Sequence, residues 1–542
     1  MLKVRNSFIA VCIGFAAACG APEPELASEG YELTWSETAA DCGCTRISAS
    51  PSSTIKVSSG GDLQAAINKA TPGAEIVLDA GGTYTGNFEL PKKSGETYIT
   101  IRTAGTSASC NRITPADAPK LARIVAKIDA PAIKALPGAH HYRLMNLEVR
   151  GASGVYVNSL VELGTGLETS TSSQANNLIL DRLYIHGDAT KGGKRGVSLN
   201  SRSTVIQNSW ISDFKSTSQD SQAIAGWNGA GDWTIANNYL QAAGENLLIG
   251  GTDPKVSGLI PTNIRIRFNH FDKSLKWRPG DSSYAGVHWI VKNLLELKNA
   301  KTVTIEGNIF EHHWADAQKG YAIVFTPRNQ GGAATWTQVA SITFRRNVVR
   351  HVTAGINILG HDDANKSQLT TGITIQDNLF DDIGWGSSVV AKGRVFQLTS
   401  GTSQAGPSYV KIDHNTVMSS GNYYLLGVGY GGDAVSKPGF TFTNQIVKHN
   451  SGVYGDGSDS TAEALSSSFP SAIIKANAFI GASSSSYSKY SGNYFPSSTS
   501  SLGLVSGGGY ELSSSSTYQD KGTDGRDLGV SYAYIDDASQ CE

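Results

Sequence analysis

Along most of this chain, apolar and polar residues alternate in short runs, and the runs keep meeting at an asparagine. The segments "TIEGNIF" (Thr304–Phe310), "TFRRNVV" (Thr343–Val349) and "TIQDNLF" (Thr374–Phe380) follow one plan. Asn208, Asn238, Asn269, Asn308, Asn347, Asn378, Asn415, Asn444 and Asn477 fall at the equivalent place, with Asn146 and Asp181 ahead of them. From Asp181 the spacings are 27, 30, 31, 39, 39, 31, 37, 29 and 33 residues. Period-two alternation enriched in Val, Ile and Phe predicts strands rather than helices. An imperfect repeat near thirty residues predicts a solenoid. Asn tolerates a left-handed corner, and stacked amides can bond to one another in a ladder. The pattern therefore predicts an all-β chain wound as a parallel β-solenoid. A leucine-rich-repeat horseshoe, with regular repeats of ~20–29 residues, does not fit spacings that swing from 27 to 39.

Composition adds detail to this picture. With 60 Gly and 17% charged residues, the 542-residue chain suits many turns around stacked apolar strands. A solenoid grows by adding coils, so this length demands no second domain. The formal net charge of −1 gives no sign of a nucleic-acid partner. The charge is uneven, however: Asn263–Arg350 holds 13 Lys/Arg against 6 Asp/Glu, which predicts an anionic ligand across the middle coils. The start of the chain reads as an export signal over residues 1–19. Lys3 and Arg5 precede "FIAVCIGFAAAC", an apolar run too short for a mature membrane span. Its end resembles a bacterial lipoprotein cleavage site, with Cys19 the acylated residue, so the chain is expected to be exported and either lipid-anchored at the cell surface or secreted. Cys42, Cys44, Cys110 and Cys541 then remain as an even set for disulfides, with their connectivity open. Residues 20–54 read as a tether, 55–535 as the solenoid and 536–542 as a tail. A monomer is expected.

After the tether comes "GGDLQAAINKATPGAEIVLDAGGTYTG". Asp62 is an N-cap, and Leu63, Ala66 and Ile67 form the apolar stripe of a short helix that can cover the open end of the barrel. This cap, the Asn repeat and the closing "GTDGRDLGV" (Gly522–Val530) resemble the right-handed parallel β-helix proteins of the pectate-lyase superfamily. The resemblance implies a single right-handed parallel β-helix with a capping helix. It does not select among the lyases, hydrolases, epimerases and tailspikes of that superfamily.

In such a barrel long loops cluster and wall a groove. The longest coils lie between Asn269 and Asn347, and their neighbourhood holds Trp227, Trp233, Trp277, Trp289, Trp314 and Trp336 among nine Trp. Aromatic faces stack on sugars, while Arg and Lys bind carboxylates. These residues predict a groove for an acidic polysaccharide, with Trp227, Asn228, Glu245, Trp277, Arg278, Lys292, Trp314, Tyr321 and Asn329 as binding candidates. Within it, "VKNLLELKN" (Val291–Asn299) and "YAIVFTPRN" (Tyr321–Asn329) are successive strand-and-corner segments, which brings Lys298 near Arg328. Uronic-acid polysaccharides can be cut by β-elimination, and two neighbouring cations suit it because each depresses the other's pKa. The arrangement is similar to the chondroitinase B/alginate lyase family, which implies Lys298 as base and Arg328 as acid or carboxylate anchor. That family also holds calcium through an Asn and two Glu; Asn293 and Glu296 are the candidates here, and calcium is the one cofactor the resemblance offers.

Two other clusters compete. Asp220, Gln222, Glu245 and Asn246 lie on the coils before, and "GINILGHDD" contributes His361, Asp362 and Asp363 after. Paired carboxylates beside a His resemble the equipment of polygalacturonase-type hydrolases. Hydrolysis is therefore the alternative activity, and a non-catalytic glycan-binding or adhesive solenoid is the third reading.

Overall fold

A computed structural model describes residues 32–35, 42, 44–48, 50–106, 109–386, 393–401, 405–419, 421–429, 435–455, 460–505 and 509–539. Side chains are not described for 32–35, 45–48 and 536–539. Each middle coil has three strands. Thr262–Arg267 leads to the Asn269 corner, His270–Asp272 follows it, and Leu295–Leu297 comes after the long segment 273–294. The next coil repeats this with Ala300–Glu306, Ile309–His313 and Tyr321–Phe325. The barrel strands pair in parallel from coil to coil, for example Ile266↔Ile305↔Phe344↔Ile375, with a register shift between Ile211 and Phe214. The third strands alone form a twelve-stranded sheet from Phe88–Leu90 to Val453–Tyr454. Inward residues such as Ile305, Phe310 and Phe344 are fully buried in one continuous core.

The corner is a ladder of amides. Asn238, Asn269, Asn308, Asn347 and Asn378 each donate to the side-chain oxygen of the next rung, ending at Asn415, with N···O distances of 2.8–3.0 Å. The same oxygens accept the backbone N–H of the rung before. The left-handed residue is the one just before the rung: Asn237, Phe268, Gly307, Arg346 and Asp377 all have φ between 53° and 65°. Hence Asn146, Asn208 and Asn444 (φ 53°, 53° and 60°) occupy this bend rather than the ladder. Ser209 and Gln445 take their rungs. Asp181 lies one residue earlier still, ahead of left-handed Arg182. In the first coils, strands His140–Gly151 and Asn176–His186 continue across the corner, with the bend at Asn146 and Arg182, and the Leu183 N–H at the rung is met by the Ser209 hydroxyl at 2.9 Å rather than by an amide.

At the start, Asp62 caps helix Leu63–Lys69 by accepting the Ala65 N–H at 2.9 Å, and Leu63, Ala66 and Ile67 are buried against the first coils. The stretch read as a tether contains structure: Glu32–Trp35 and Thr45–Ser48 form an antiparallel pair, and Ser53–Val57 is already a barrel strand. Cys44 is disulfide-bonded to Cys110 with Cα atoms 5.5 Å apart, and Cys42 is disulfide-bonded as well. Cys19 and Cys541 lie outside the described residues. At the other end the last barrel strand is Ala478–Ile480. The chain then runs back along the ladder corner, where Asp524 meets His414, Val530 N–H reaches Thr416, and Val530 and Ile535 pack on Ile309, Val348 and Leu379. The final helix, Tyr532–Ser539, lies partly in the segment read as a tail, and Arg346 stacks over its Tyr534 at 4.0 Å.

Candidate functional site

The outer face of the third sheet carries the candidate chemistry. Register sets two outward rows. Pairings Leu247↔Leu295↔Ile323 put Glu245, Asn293 and Tyr321 side by side, two residues earlier on each strand, and Leu248↔Glu296↔Val324 form the next row. One step further on, past Leu297, stands Lys298, opposite Gly250. Arg328 follows on the next coil, its N–H donating to the Lys298 carbonyl at 3.0 Å. The two residues expected together from the sequence are therefore backbone neighbours on successive coils at one edge of the third sheet. Both side chains keep part of their surface in solvent, 18% for Lys298 and 25% for Arg328. Gly250 and Gly251, at φ 97° and 80°, let the neighbouring backbone pass close to Lys298; a Cβ on Gly250 would come within 3.0 Å of the Lys298 Cβ.

Carboxylates steer these cations. Lys298 Nζ lies 3.4 Å from Glu296 Oε1. Burial pushes the Glu296 carboxyl up to about 7, an effect opposed by the Lys298 charge and reinforced by Glu245. Lys292 bonds Asp220 at 2.7 Å and lies 3.6 Å from Glu245; burial opposes its charge, but these carboxylates outweigh it and hold its pKa above the ordinary value. Lys292 is therefore a fixed counter-cation. Glu245 also accepts the Gln222 amide at 2.8 Å, and Gln222 accepts from Arg195, a wall residue the sequence did not single out. Arg328 Nη1 is shared at 2.7 Å between Asp362 and the exposed Asp363.

Asn293, Glu296 and Glu245 are the residues able to hold the calcium implied by the resemblance. Asn293 Oδ1 and Glu296 Oε2 are buried with no hydrogen-bond partner, and Glu245 stands opposite Asn293, completing an Asn and two Glu. Three hard oxygen donors, two of them with unmet atoms, fit calcium; Lys292 already neutralises part of their charge.

Several other candidates turn out to be structural. Trp277 and Trp314 are 3% and 5% exposed and pack with Trp289, Val291 and Ala243; they seal segment 273–294 onto the barrel and present no face to a sugar. Arg278 lies over the half-buried Trp385 at 3.8 Å, at the rim of that cluster. Asn228 is fully buried and accepts the N–H groups of Lys255 and Val256. Asn329, equally buried, accepts from Ala334 and donates to Lys366 O. Asp362 is buried beneath Arg328 and takes the Asn329 N–H, so it positions Arg328 and is not a solvent-facing acid. Asn246 turns inward and binds backbone carbonyls. Trp227 stays partly open under Arg195 at 4.9 Å, His361 is half-buried, and the Tyr321 hydroxyl donates to Gln397. The basic surplus is also dispersed: Arg267, Arg345 and Arg346 surround Glu306 on the first sheet, and Arg350 binds Glu311 on the second.

No protein-family model matches the chain, and no curated protein matches it by sequence. Among solved structures it is similar to the PL6 family alginate lyase AlyGC at 14% identity and a TM-score of 0.50, over 79% of this chain and 51% of that one. It is also similar to the catalytic unit of the thermostable GH87 α-1,3-glucanase from Streptomyces thermodiastaticus, at 14% identity and a TM-score of 0.52, over 83% and 72%. The chain thus spans about half of AlyGC. The class is plain: a right-handed parallel β-helix, a fold shared with carbohydrate-active enzymes. At this identity the likeness carries the fold alone, and lyase and glucanase neighbours stand side by side.

Proposed function

We propose that the protein cleaves an acidic, uronic-acid-containing polysaccharide by β-elimination, with Lys298 as the general base and Arg328 as the carboxylate anchor. The observation that carries this reading is the pair itself: two partly exposed cations on successive coils, joined through one backbone hydrogen bond at a glycine-flanked edge of the third sheet. In the reaction, Lys298 removes the proton from C5. The C–H electron pair becomes the C4=C5 double bond, the C4–O bond breaks, and the leaving oxygen takes a proton. The proton that Lys298 takes is the one the leaving oxygen receives, and Glu296 Oε1, 3.4 Å from Nζ, holds the ammonium in between. The Arg328 fork grips the uronate carboxylate, with Asp362 holding the guanidinium in place. Glu245, Asn293 and Glu296 are the residues that would hold calcium; a bound ion would help neutralise the substrate carboxylate. The Cys44–Cys110 disulfide supports an oxidising compartment, in keeping with export and a lipid anchor at Cys19.

One observation favours hydrolysis as the second reading: a buried carboxyl raised to about 7, Glu296, is what a glycosidic general acid needs. Incubation with pectate, alginate, glycosaminoglycans and ulvan, with and without calcium, separates the two. Elimination yields an unsaturated product that absorbs in the ultraviolet. Reducing ends without that absorbance would replace the lyase reading with hydrolysis, and retention of a glycan without cleavage would leave a binder.

A further inference from the structure

The second sheet holds a cluster that the Lys298–Arg328 chemistry does not use. Around His270, Asp272, Glu311 and His312 the surface opens into a cleft of about 430 Å³, with Lys276 and Ser283 among its lining residues. Ordinary strand alternation would send Glu311 and His312 to opposite faces. His312 has φ 57°, which breaks the alternation and leaves both on the cleft. Asp213, His351 and Asp382 adopt the same left-handed bend on this sheet, so the bend belongs to the face; what differs here is the set of side chains it gathers.

The two carboxylates are arranged alike. Glu311 is fixed through Oε2 by Arg350 Nε at 2.5 Å and presents Oε1 to His270 Nε2 at 2.8 Å, with His312 Nδ1 3.8 Å away. Asp272 is fixed through Oδ2 by the Tyr239 hydroxyl at 2.6 Å and the Gln241 amide at 3.2 Å, and presents Oδ1 to His312 Nδ1 at 2.8 Å. Ligand atoms of His270, Asp272 and Glu311 all lie within 4.8 Å of one another. Outer partners that hold one carboxylate oxygen while the other faces inward are what a metal site requires of its surroundings. The adjacent Lys273 ammonium does not compete: it is fully buried and bound by the carbonyls of Ala242, Ala243 and Gly244 and by Asn246.

We propose that this cluster binds a divalent metal of the zinc class through His270 Nε2, His312 Nδ1, Asp272 Oδ1 and Glu311 Oε1. Two imidazoles with two carboxylates match the donor preference of zinc and its transition-metal neighbours, and not that of calcium or magnesium, which take oxygen. The ion replaces the protons now shared between each imidazole and its carboxylate. It joins two successive coils at the root of segment 273–294, whose Trp277 and Trp289 pack with Ala243 and Val291. This proposal stands independently of the polysaccharide reading.

Full-length protein stripped with a chelator is titrated with ZnCl2 by calorimetry, with CaCl2 as comparator, and thermal unfolding is followed in parallel. The expected result is one Zn²⁺ per chain and a raised Tm. His270→Ala and Glu311→Gln should each weaken binding at least tenfold, and Tyr239→Phe, which removes only an outer partner, by roughly tenfold. His288→Ala, at an exposed His paired with Asp316, should change nothing. If a ligand variant fails to fold, a zinc-soaked crystal of the unaltered protein decides: an anomalous peak among the four atoms supports the site. No peak there, no saturable Zn²⁺ binding, equal displacement by Ca²⁺, or undiminished binding in His270→Ala and Glu311→Gln would overturn it.

Discussion

Replacing Asn308 by Ala removes one rung from the middle of the ladder, and the structure allows its cost to be worked out. The Asn308 side-chain oxygen accepts both the backbone N–H and the amide of Asn269, at 2.9 and 3.0 Å. Its own amide donates to Asn347 Oδ1, Ile266 O and Glu306 O at 3.0, 2.9 and 3.1 Å. Alanine leaves at least two buried donors on Asn269 without their acceptor. The site is fully buried, so water cannot replace the lost partners without opening the corner. At about 1–3 kcal/mol for each of these two buried groups left unsatisfied, the expected loss is roughly 2–6 kcal/mol. Asn308→Gln is the control: Gln445, a natural rung, still accepts the Asn415 N–H at 2.9 Å, so glutamine should retain the backbone acceptor and lose about half as much. Urea unfolding followed by far-ultraviolet circular dichroism measures the shift. A loss below about 1 kcal/mol for the alanine variant would refute the argument that the ladder stabilises the corner by satisfying these donors.

Three further outcomes are expected. Trp277→Ala should remove a buried aromatic worth about 3–5 kcal/mol, felt locally; hydrogen exchange should rise across segment 273–294 while ladder amides stay protected, and an unchanged segment would contradict its sealing role. The Glu296 carboxyl is raised in the folded state, to about 7, so the stability it contributes is complete below its unfolded pKa and is lost as pH rises through about 7. Urea midpoints of wild type minus Glu296→Gln should therefore fall between about pH 4.5 and 7; a difference that grows with pH would be the wrong sign. Arg328→Lys should lower turnover by tenfold or more, because an ammonium cannot bridge Asp362 and Asp363 while offering a planar fork to a carboxylate; unchanged turnover would remove Arg328 as anchor.

The fold was legible because alternation and period leave few alternatives, and Ile305, Phe310 and Phe344 lie inside as their spacing requires. Ladder register was harder to read, since two neighbouring positions at each corner favour Asn for different reasons. One needs a left-handed backbone and the next needs an amide, and Asn237–Asn238 fills both. Where only the bend carries Asn, as at Asn208 and Asn444, sequence alone misplaces it by one residue. The Lys298–Arg328 neighbourhood followed from strand spacing. The pairing of Glu245 with Asn293 did not, because the inserted segment 273–294 hides which strands are adjacent. Tryptophans in that insert read as a sugar platform; only the packing of Trp277, Trp289 and Trp314 on Val291 identifies them as a seal. The cluster at Asp272 and Glu311 was invisible for a related reason, since the left-handed His312 breaks the alternation on which the reading of faces depends.

Whether Lys298 is the base of an eliminase is decided by comparing turnover with binding. On an acidic polysaccharide that the wild type cleaves, release of unsaturated product is followed by ultraviolet absorbance for wild type and Lys298→Ala, alongside equilibrium binding of the same glycan. The account predicts that kcat falls by at least ~10² while Kd changes by less than a few-fold, since a general base acts in the transition state. Wild-type rates of unsaturated product from Lys298→Ala, or a loss confined to binding, would contradict it.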